Sequence, residues 1–226
     1  MDDMYSSAAS DSDNPYPEKD IDGLMDGQWE LDIGKIFSQS WELFLANAGQ
    51  FIGAIAVYMV ASVLLAIVSV CTLGLGMAAV VPLMAGMTIY TMMLLKGERP
   101  DFNNFFDGFK LFLPLFIAGL LIGLGTFLGS ILCVVPGLYL GVAWYFALPL
   151  IIDRKMEAVE AMSMSMKVVN SNFWAVFVLA LVVAIISFAG AVVMLGTLIT
   201  APLASIMGVV AYAQLFGLRD GPIVEA

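Results

Sequence analysis

The chain has 226 residues, 61% of them hydrophobic and only 12% charged, with a formal net charge of -10 and no histidine. Soluble domains are roughly 45–50% apolar, so this composition excludes a water-soluble globular fold and places the chain in a bilayer. The missing histidine removes the commonest ligand for zinc or haem and the commonest acid–base group at neutral pH, and no cofactor or metal is expected.

Residues 1–32 carry nearly all the excess charge, with acidic residues throughout and Lys19 as the one base. The stretch "MDDMYSSAASDSDNPYPEKDIDGLMDG" is rich in Ser, Asp, Pro and Gly and predicts a disordered acidic tail. Two roles stay open for it: a solvated segment repelled from anionic lipid, or a docking segment for a basic protein partner through Trp29 and Leu31. An acidic start in place of a basic n-region argues against a cleavable signal peptide. The membrane domain is expected over residues 33–218, followed by a short tail at 219–226.

Three stretches lack any Asp, Glu, Lys or Arg: Leu43 to Leu95, Leu111 to Ile152 and Val168 to Leu218. Each is at least twice the length of about 20 residues that one crossing needs. A turn is therefore expected near the middle of each, at "TLGLG" (Thr72–Gly76), at Pro136-Gly137 and at "GTLITAP" (Gly196–Pro202). Proline cannot continue the preceding helix, and glycine accepts the positive φ of a tight reversal. The expected fold is all-α: six transmembrane helices as three hairpins, over Phe51–Cys71, Met77–Leu95, Phe112–Cys133, Leu138–Ile152, Trp174–Leu195 and Leu203–Phe216. The fourth and sixth are short for a crossing, which leaves open tilt, extension through the turn or incomplete crossing. Pro149 predicts a kink near the end of the fourth.

An amphipathic interfacial helix is expected before each hairpin. Three blocks align in register: Ser40-Trp41-Glu42-Leu43, Gly108-Phe109-Lys110-Leu111 and Ser165-Met166-Lys167-Val168. Each leads into an apolar pair, which suggests one unit used three times. In the third, Met156, Val159, Met162, Met166 and Val169 fall on one helical stripe, Glu157, Glu160 and Lys167 lie away from it, and Asp153 is placed to cap the start. The methionines read as packing or lipid contacts, because a soft-metal site needs convergent sulfur. All the basic residues fall in the tails and long connections and none in the three hairpin turns, which places both termini in the cytoplasm.

Chemistry-bearing patterns are sparse. There is no phosphate-binding Gly-Lys loop, no nucleophile elbow and no carboxylate pair within a span. Asp107 and Asp153 come nearest to the membrane and read as interfacial or capping groups. Gly119 with Gly123, and Gly125 with Gly129, form small-xxx-small pairs suited to close helix packing; a groove lined by glycine backbone, with Thr126 and Ser130 nearby, is the other reading. Cys71 and Cys133 fall at the non-cytoplasmic ends of two spans, where they are either buried small residues or, in a periplasm-facing location, a disulfide.

The stretch from Val134 to Trp174, "VVPGLYLGVAWYFALPLIIDRKMEAVEAMSMSMKVVNSNFW", resembles bacterial YciC-like membrane proteins and the related membrane domain attached to some glycerophosphodiester phosphodiesterases. Those families carry a Pro-Gly turn, an aromatic-rich span, an acidic residue at its cytoplasmic end and an "EA…S" helix. The matching positions are Pro136, Gly137, Asp153, Glu160, Ala161 and Ser165. Where the families often have a Gly-Asn or Gly-His-like pair after that helix, this chain has Asn170-Ser171-Asn172. The resemblance implies a multi-span inner-membrane protein. It does not imply phosphodiesterase activity, which belongs to a separate soluble barrel that needs histidines.

The leading expectation is a non-enzymatic component of the bacterial inner membrane that organises the membrane or binds a protein through its acidic tail, with membrane lipids as further partners and no nucleic acid. The alternative is a transporter or channel for a small neutral or amphipathic solute or lipid; an enzyme would need Asp107, Asp153 or Glu160 to converge in a cleft. The sequence selects no oligomeric state. Alkylation with and without reductant, followed by intact mass, tests the cysteine pair: thiols that react only after reduction establish the disulfide, and two free thiols in oxidised material exclude it.

Overall fold

The computed structural model describes residues 14–27, 29–71, 80–132, 134–192 and 196–223, with the side chains of all but 65–71, 83 and 132. In chain order the helices are α1 (Ile21–Leu24), α2 (Ile33–Ala46), α3 (Ala48–Cys71), α4 (Val80–Leu95), a 3-10 segment (Phe102–Leu111), α5 (Phe112–Leu132), α6 (Val134–Ala143), α7 (Ala147–Arg154), α8 (Ala158–Ser171), α9 (Phe173–Val192) and α10 (Thr197–Phe216). Among the described residues there is no β-strand, only an isolated bridge between Pro17 and Leu218. The all-helical class stands.

Among the described residues, four helices are long and apolar enough to cross a membrane: Phe102–Ile131, Val134–Arg154, Phe173–Val192 and Thr197–Phe216. Counting α2 and α3 as one span, bent by 88° at their junction, gives five, against six expected. The helix boundaries explain why the expected fourth and sixth spans look short in the sequence. The fourth begins at Val134 and has 21 residues. The sixth begins at Thr197 and has 20 residues, with Pro202 inside it.

Pro136 and Gly137 therefore do not form a turn. They lie in the first turns of α6, where proline is tolerated because the first four N–H groups of a helix have no intrahelical acceptor. Gly137 does not take a positive φ. It is needed for proximity instead: a Cβ there would lie 2.0 Å from Ser130 Oγ and 2.8 Å from Ser130 N. Gly129 meets Gly137 from the α5 side, a Cβ on Gly125 would strike the Trp144 ring at 2.6 Å, and one on Gly119 would strike Val81 at 2.5 Å. Three of the four expected packing glycines thus bring α5 against α4, α6 and the Trp144 that follows α6, while Gly123 faces open space. The Thr72–Gly76 turn lies outside the described residues, and so does Cys133 together with the Cys71 side chain.

The kink expected from Pro149 is present one turn earlier. Proline lacks the N–H that would bond Tyr145 and its ring crowds that carbonyl, and the helix is interrupted between α6 and α7. The Ala147 N–H donates to Trp144 O (3.0 Å) and the Tyr145 N–H to Val142 O (3.1 Å). That leaves the Ala143 carbonyl and the Phe146 N–H without ladder partners. Ser165 takes both: its hydroxyl donates to Ala143 O (2.8 Å) and accepts from the Phe146 N–H (3.2 Å).

Ser40, Gly108 and Ser165, the register-equivalent small residues of the three blocks, are all buried. Each sits on an element packed against another helix: α2 on α10, the 3-10 segment on α4, and α8 on α6 and α7. At Gly108 the approach is backbone to backbone, since a Cβ would lie 2.0 Å from Pro82 O. In α8 the buried face differs from the expected stripe. Met162 and Val169 are buried, but Val159 is exposed, Met156 and Met166 are half-buried, and Ala158, Ala161, Ser165 and Val168 complete the contact. Small residues win there because α8 packs on helices at close range.

Two aromatic groups fill the core. Tyr90 stacks on Phe105 at 4.1 Å and meets Phe51 edge-on at 5.3 Å, which joins α3, α4 and the 3-10 segment. Phe146 meets Phe216 edge-on at 5.6 Å, which joins α7 to α10. Such pairs prefer offset or edge geometry because of the ring quadrupole. Ser165→Ala is expected to lower stability by about 1–3 kcal/mol for each backbone group it leaves unpaired. Ser163→Ala, on the exposed side of α8, is expected to leave it unchanged; thermal unfolding in mild detergent checks both.

Candidate functional site

Chain segments far apart in sequence meet at one end of the bundle. Asp153, the second-last residue of α7, is buried. Its carboxylate accepts from the Tyr212 hydroxyl (2.8 Å) and from the Arg219 N–H (3.1 Å). It therefore does not cap α8, whose N-cap is Glu157. Lys155, with φ at 52°, turns the chain between the two helices. Arg154 pairs with Glu18 (3.1 Å) and donates to the carbonyls of Lys19 (3.0 Å) and Phe216 (3.1 Å).

These contacts hold residues 16–19 and 216–219 together on the bundle. The Leu218 N–H donates to Tyr16 O and the Lys19 N–H to Phe216 O, both at 2.8 Å. Lys19 Nζ reaches Gln214 O (2.6 Å), and the Gly217 N–H returns to Ala213 O (3.0 Å). The last carbonyls of a helix have no intrahelical donor, and the N-terminal segment supplies donors here. Gly217 has φ of 72°, and a Cβ on it would lie 2.0 Å from Pro17 O, so only glycine fits. Lys96 crosses from the end of α4 to Gly221 O (2.7 Å). Burial holds its ammonium below the usual lysine range, against the pull of the Asp153 and Glu98 carboxylates.

The expected disordered tail is accordingly corrected for residues 14–27 and 29–32. Ile21 and Leu24 are buried on α1. Trp29 is bonded within the chain, to Leu24 O (2.9 Å) and Ser171 Oγ (3.3 Å), and Leu31 packs on the core. Asn172 Nδ2 donates to Trp29 O (2.9 Å). Ser171 and Asn172 thus anchor the N-terminal segment on the end of α8, while Asn170 accepts from the Tyr139 hydroxyl. Residues 1–13 lie outside the described residues.

The other carboxylates have separate settings. Asp107 accepts from Asn104 (2.7 Å) and pairs with Lys110 (3.3 Å) on the 3-10 segment. Glu160 is exposed in the first turn of α8, where a negative charge suits the helix dipole. Ser165 serves the helix break.

A second feature lies deeper. A cavity of about 380 Å³ opens between α4, α7, α9 and α10, lined by Thr88, Tyr145, Pro149, Ser187, Ser205 and Gly208 among others. Pro149 and Gly208 stand one helical turn before Asp153 and Tyr212 on the same faces. The carboxylate–phenol pair is therefore placed over one end of the cavity. Sequence reasoning missed Tyr212, Lys96 and this lining. The signal present was weak: hydroxyls and a glycine spaced along three apolar runs.

Long apolar helices with ionisable side chains gathered at one end and in the connections define a multi-span α-helical membrane protein. Residues 109–214 match the family described as the membrane domain of glycerophosphoryl diester phosphodiesterase, and the resemblance carried by Val134 to Trp174 is borne out for that domain. The chain is also 31% identical over 156 residues to Uncharacterized protein Rv2560 of Mycobacterium tuberculosis, covering 66% of this chain and 45% of that protein. The same values hold for Uncharacterized protein Mb2590 of Mycobacterium bovis. The chain thus spans less than half the length of these relatives. No solved structure matches it.

Asp153→Ala leaves the Tyr212 hydroxyl and the Arg219 N–H without their acceptor, at about 1–3 kcal/mol each. The expected outcome is earlier cleavage at Lys19 and Arg219 in limited proteolysis, with Asp153→Asn, which keeps an acceptor oxygen, intermediate. Equal cleavage rates in all three proteins would show that the clamp does not depend on this carboxylate.

Proposed function

We propose that the chain is a non-enzymatic component of the bacterial inner membrane that organises the membrane or binds a protein partner, with both termini in the cytoplasm. The observation that supports this most is the separate commitment of the three candidate carboxylates. Asp153 is engaged by Tyr212 and Arg219, Asp107 by Asn104 and Lys110, and Glu160 points to the outside. An acid–base pair needs two such groups within reach of one reacting atom.

In this reading six helices cross, as three pairs: α3 with α4, α5 with α6–α7, and α9 with α10. Each pair is preceded by a block carrying Ser40, Gly108 or Ser165, and each block packs on the second helix of another pair. This is the arrangement that one unit used three times around a ring would have. Lys19, Lys96, Arg154 and Arg219 gather at the end with both chain ends, which favours a cytoplasmic location for it. The outer faces of α5 and α9 offer apolar surface to lipid through Phe127, Ile131, Trp174 and Phe188.

The cavity between α4, α7, α9 and α10 favours a second reading, a transporter or channel for a small neutral or amphipathic solute. Purification in nanodiscs from native membranes, with mass spectrometry of what accompanies the chain, separates the two. A stoichiometric protein partner lost on deletion of residues 1–13, which leaves the clamp intact, is expected on the first. A reproducible small molecule with no protein partner would replace it with the second.

A further inference from the structure

We infer that the cavity between α4, α7, α9 and α10 is a binding site for a neutral lipid, an acyl chain ending in an uncharged hydroxyl or ester head. The inference rests on the membrane-spanning reading and on the cavity, and it does not require transport.

The volume of about 380 Å³ falls within the roughly 300–1,000 Å³ of ligand pockets, and the lining has the makeup of one: mostly apolar walls with a few placed polar groups. Those groups are the hydroxyls of Thr88, Tyr145, Ser187 and Ser205. Serine and threonine within helices commonly return their hydroxyl to a carbonyl one turn earlier, as Thr126, Ser130 and Thr200 do here. Among the described residues, the hydroxyls of Tyr145, Ser187 and Ser205 make no hydrogen bond. They line the cavity with donors and acceptors unspent.

The occupant follows from place and charge. Thr88 and Ser205 stand near the middles of α4 and α10, so the cavity lies at bilayer depth, where lipids are the available ligands. One side opens to the outside of the bundle, since Met84 and Ser187 are exposed, while the Asp153–Tyr212 pair covers the end toward the chain termini. Entry is therefore lateral, from the bilayer. The lining holds no Asp, Glu, Lys or Arg, and a charged head would lose its hydration there without a counter-charge. An ester or hydroxyl head can exchange hydrogen bonds with the four hydroxyls while its chain lies on the apolar walls. Gly208 keeps the space open: a Cβ on it would stand 3.2 Å from Tyr145 Oη.

The test uses the full chain in phospholipid nanodiscs with a monoacylglycerol bearing a diazirine and an alkyne. After irradiation, labelled peptides are mapped by mass spectrometry. Labelling on α4, α9 or α10 is expected, competed by excess monooleoylglycerol and about tenfold less by oleate. Ser187→Ala with Ser205→Ala removes two hydroxyls without filling the space and is expected to cut specific labelling severalfold; Gly208→Phe fills the space and is expected to abolish it, provided its thermal midpoint is retained. Labelling spread over the outer face of α5 and unchanged in the double variant, or equal competition by oleate, would overturn the inference. Retained probe with no flux across sealed vesicles leaves it standing and removes the transporter reading.

Discussion

A bilayer supplies no partner for a backbone amide or carbonyl, so a helix broken within it has to be repaired by the protein itself. The break that Pro149 forces between α6 and α7 is repaired by one hydroxyl, that of Ser165. Much of the fold depends on that repair. It fixes α8 against α6 and α7, sets the direction of α7, and so decides where Asp153 and Arg154 emerge. The clamp on the chain ends is built on those two residues, and the cavity is bounded by the same short helix.

Close approach is the second theme. Gly108 on the 3-10 segment, Gly137 on α6 and Gly217 after α10 each stand where a side chain would meet backbone or a hydroxyl of a neighbouring element. Between helices in lipid, attraction comes from van der Waals contact, and residues without side chains let the surfaces meet. Few residues of the outer helices α5 and α9 are buried, whereas α7 and α10 are largely buried. A tight inner set inside a looser outer one suits a protein whose periphery meets lipid.

The polar junction and the cavity form one axis along α7 and α10. At its end, charged and hydrogen-bonding groups satisfy one another; a turn deeper, hydroxyls face an open space. The ionisable groups therefore serve the closure of the bundle, while neutral groups remain for a ligand. That division matches the chemistry available at each depth, since a charge is costly away from water and a hydroxyl much less so.

By itself the sequence determined the helical class, the membrane setting, the matched family domain and the helix break near Pro149, because apolar runs, charge placement and proline act locally along the chain. It also aligned Ser40, Gly108 and Ser165 in one register, although not as buried contacts. Tertiary structure decided the rest. Pro136 and Gly137 begin a helix because close contact with Ser130 favours glycine there. Asp153 faces inward to Tyr212 because α7 is held by α8 and α10, and residues 14–27 and 29–32 pack on the bundle because the end of α10 needs donors. Each of these depends on a partner more than fifty residues away or on an approach distance, and neither leaves a periodic mark in the sequence.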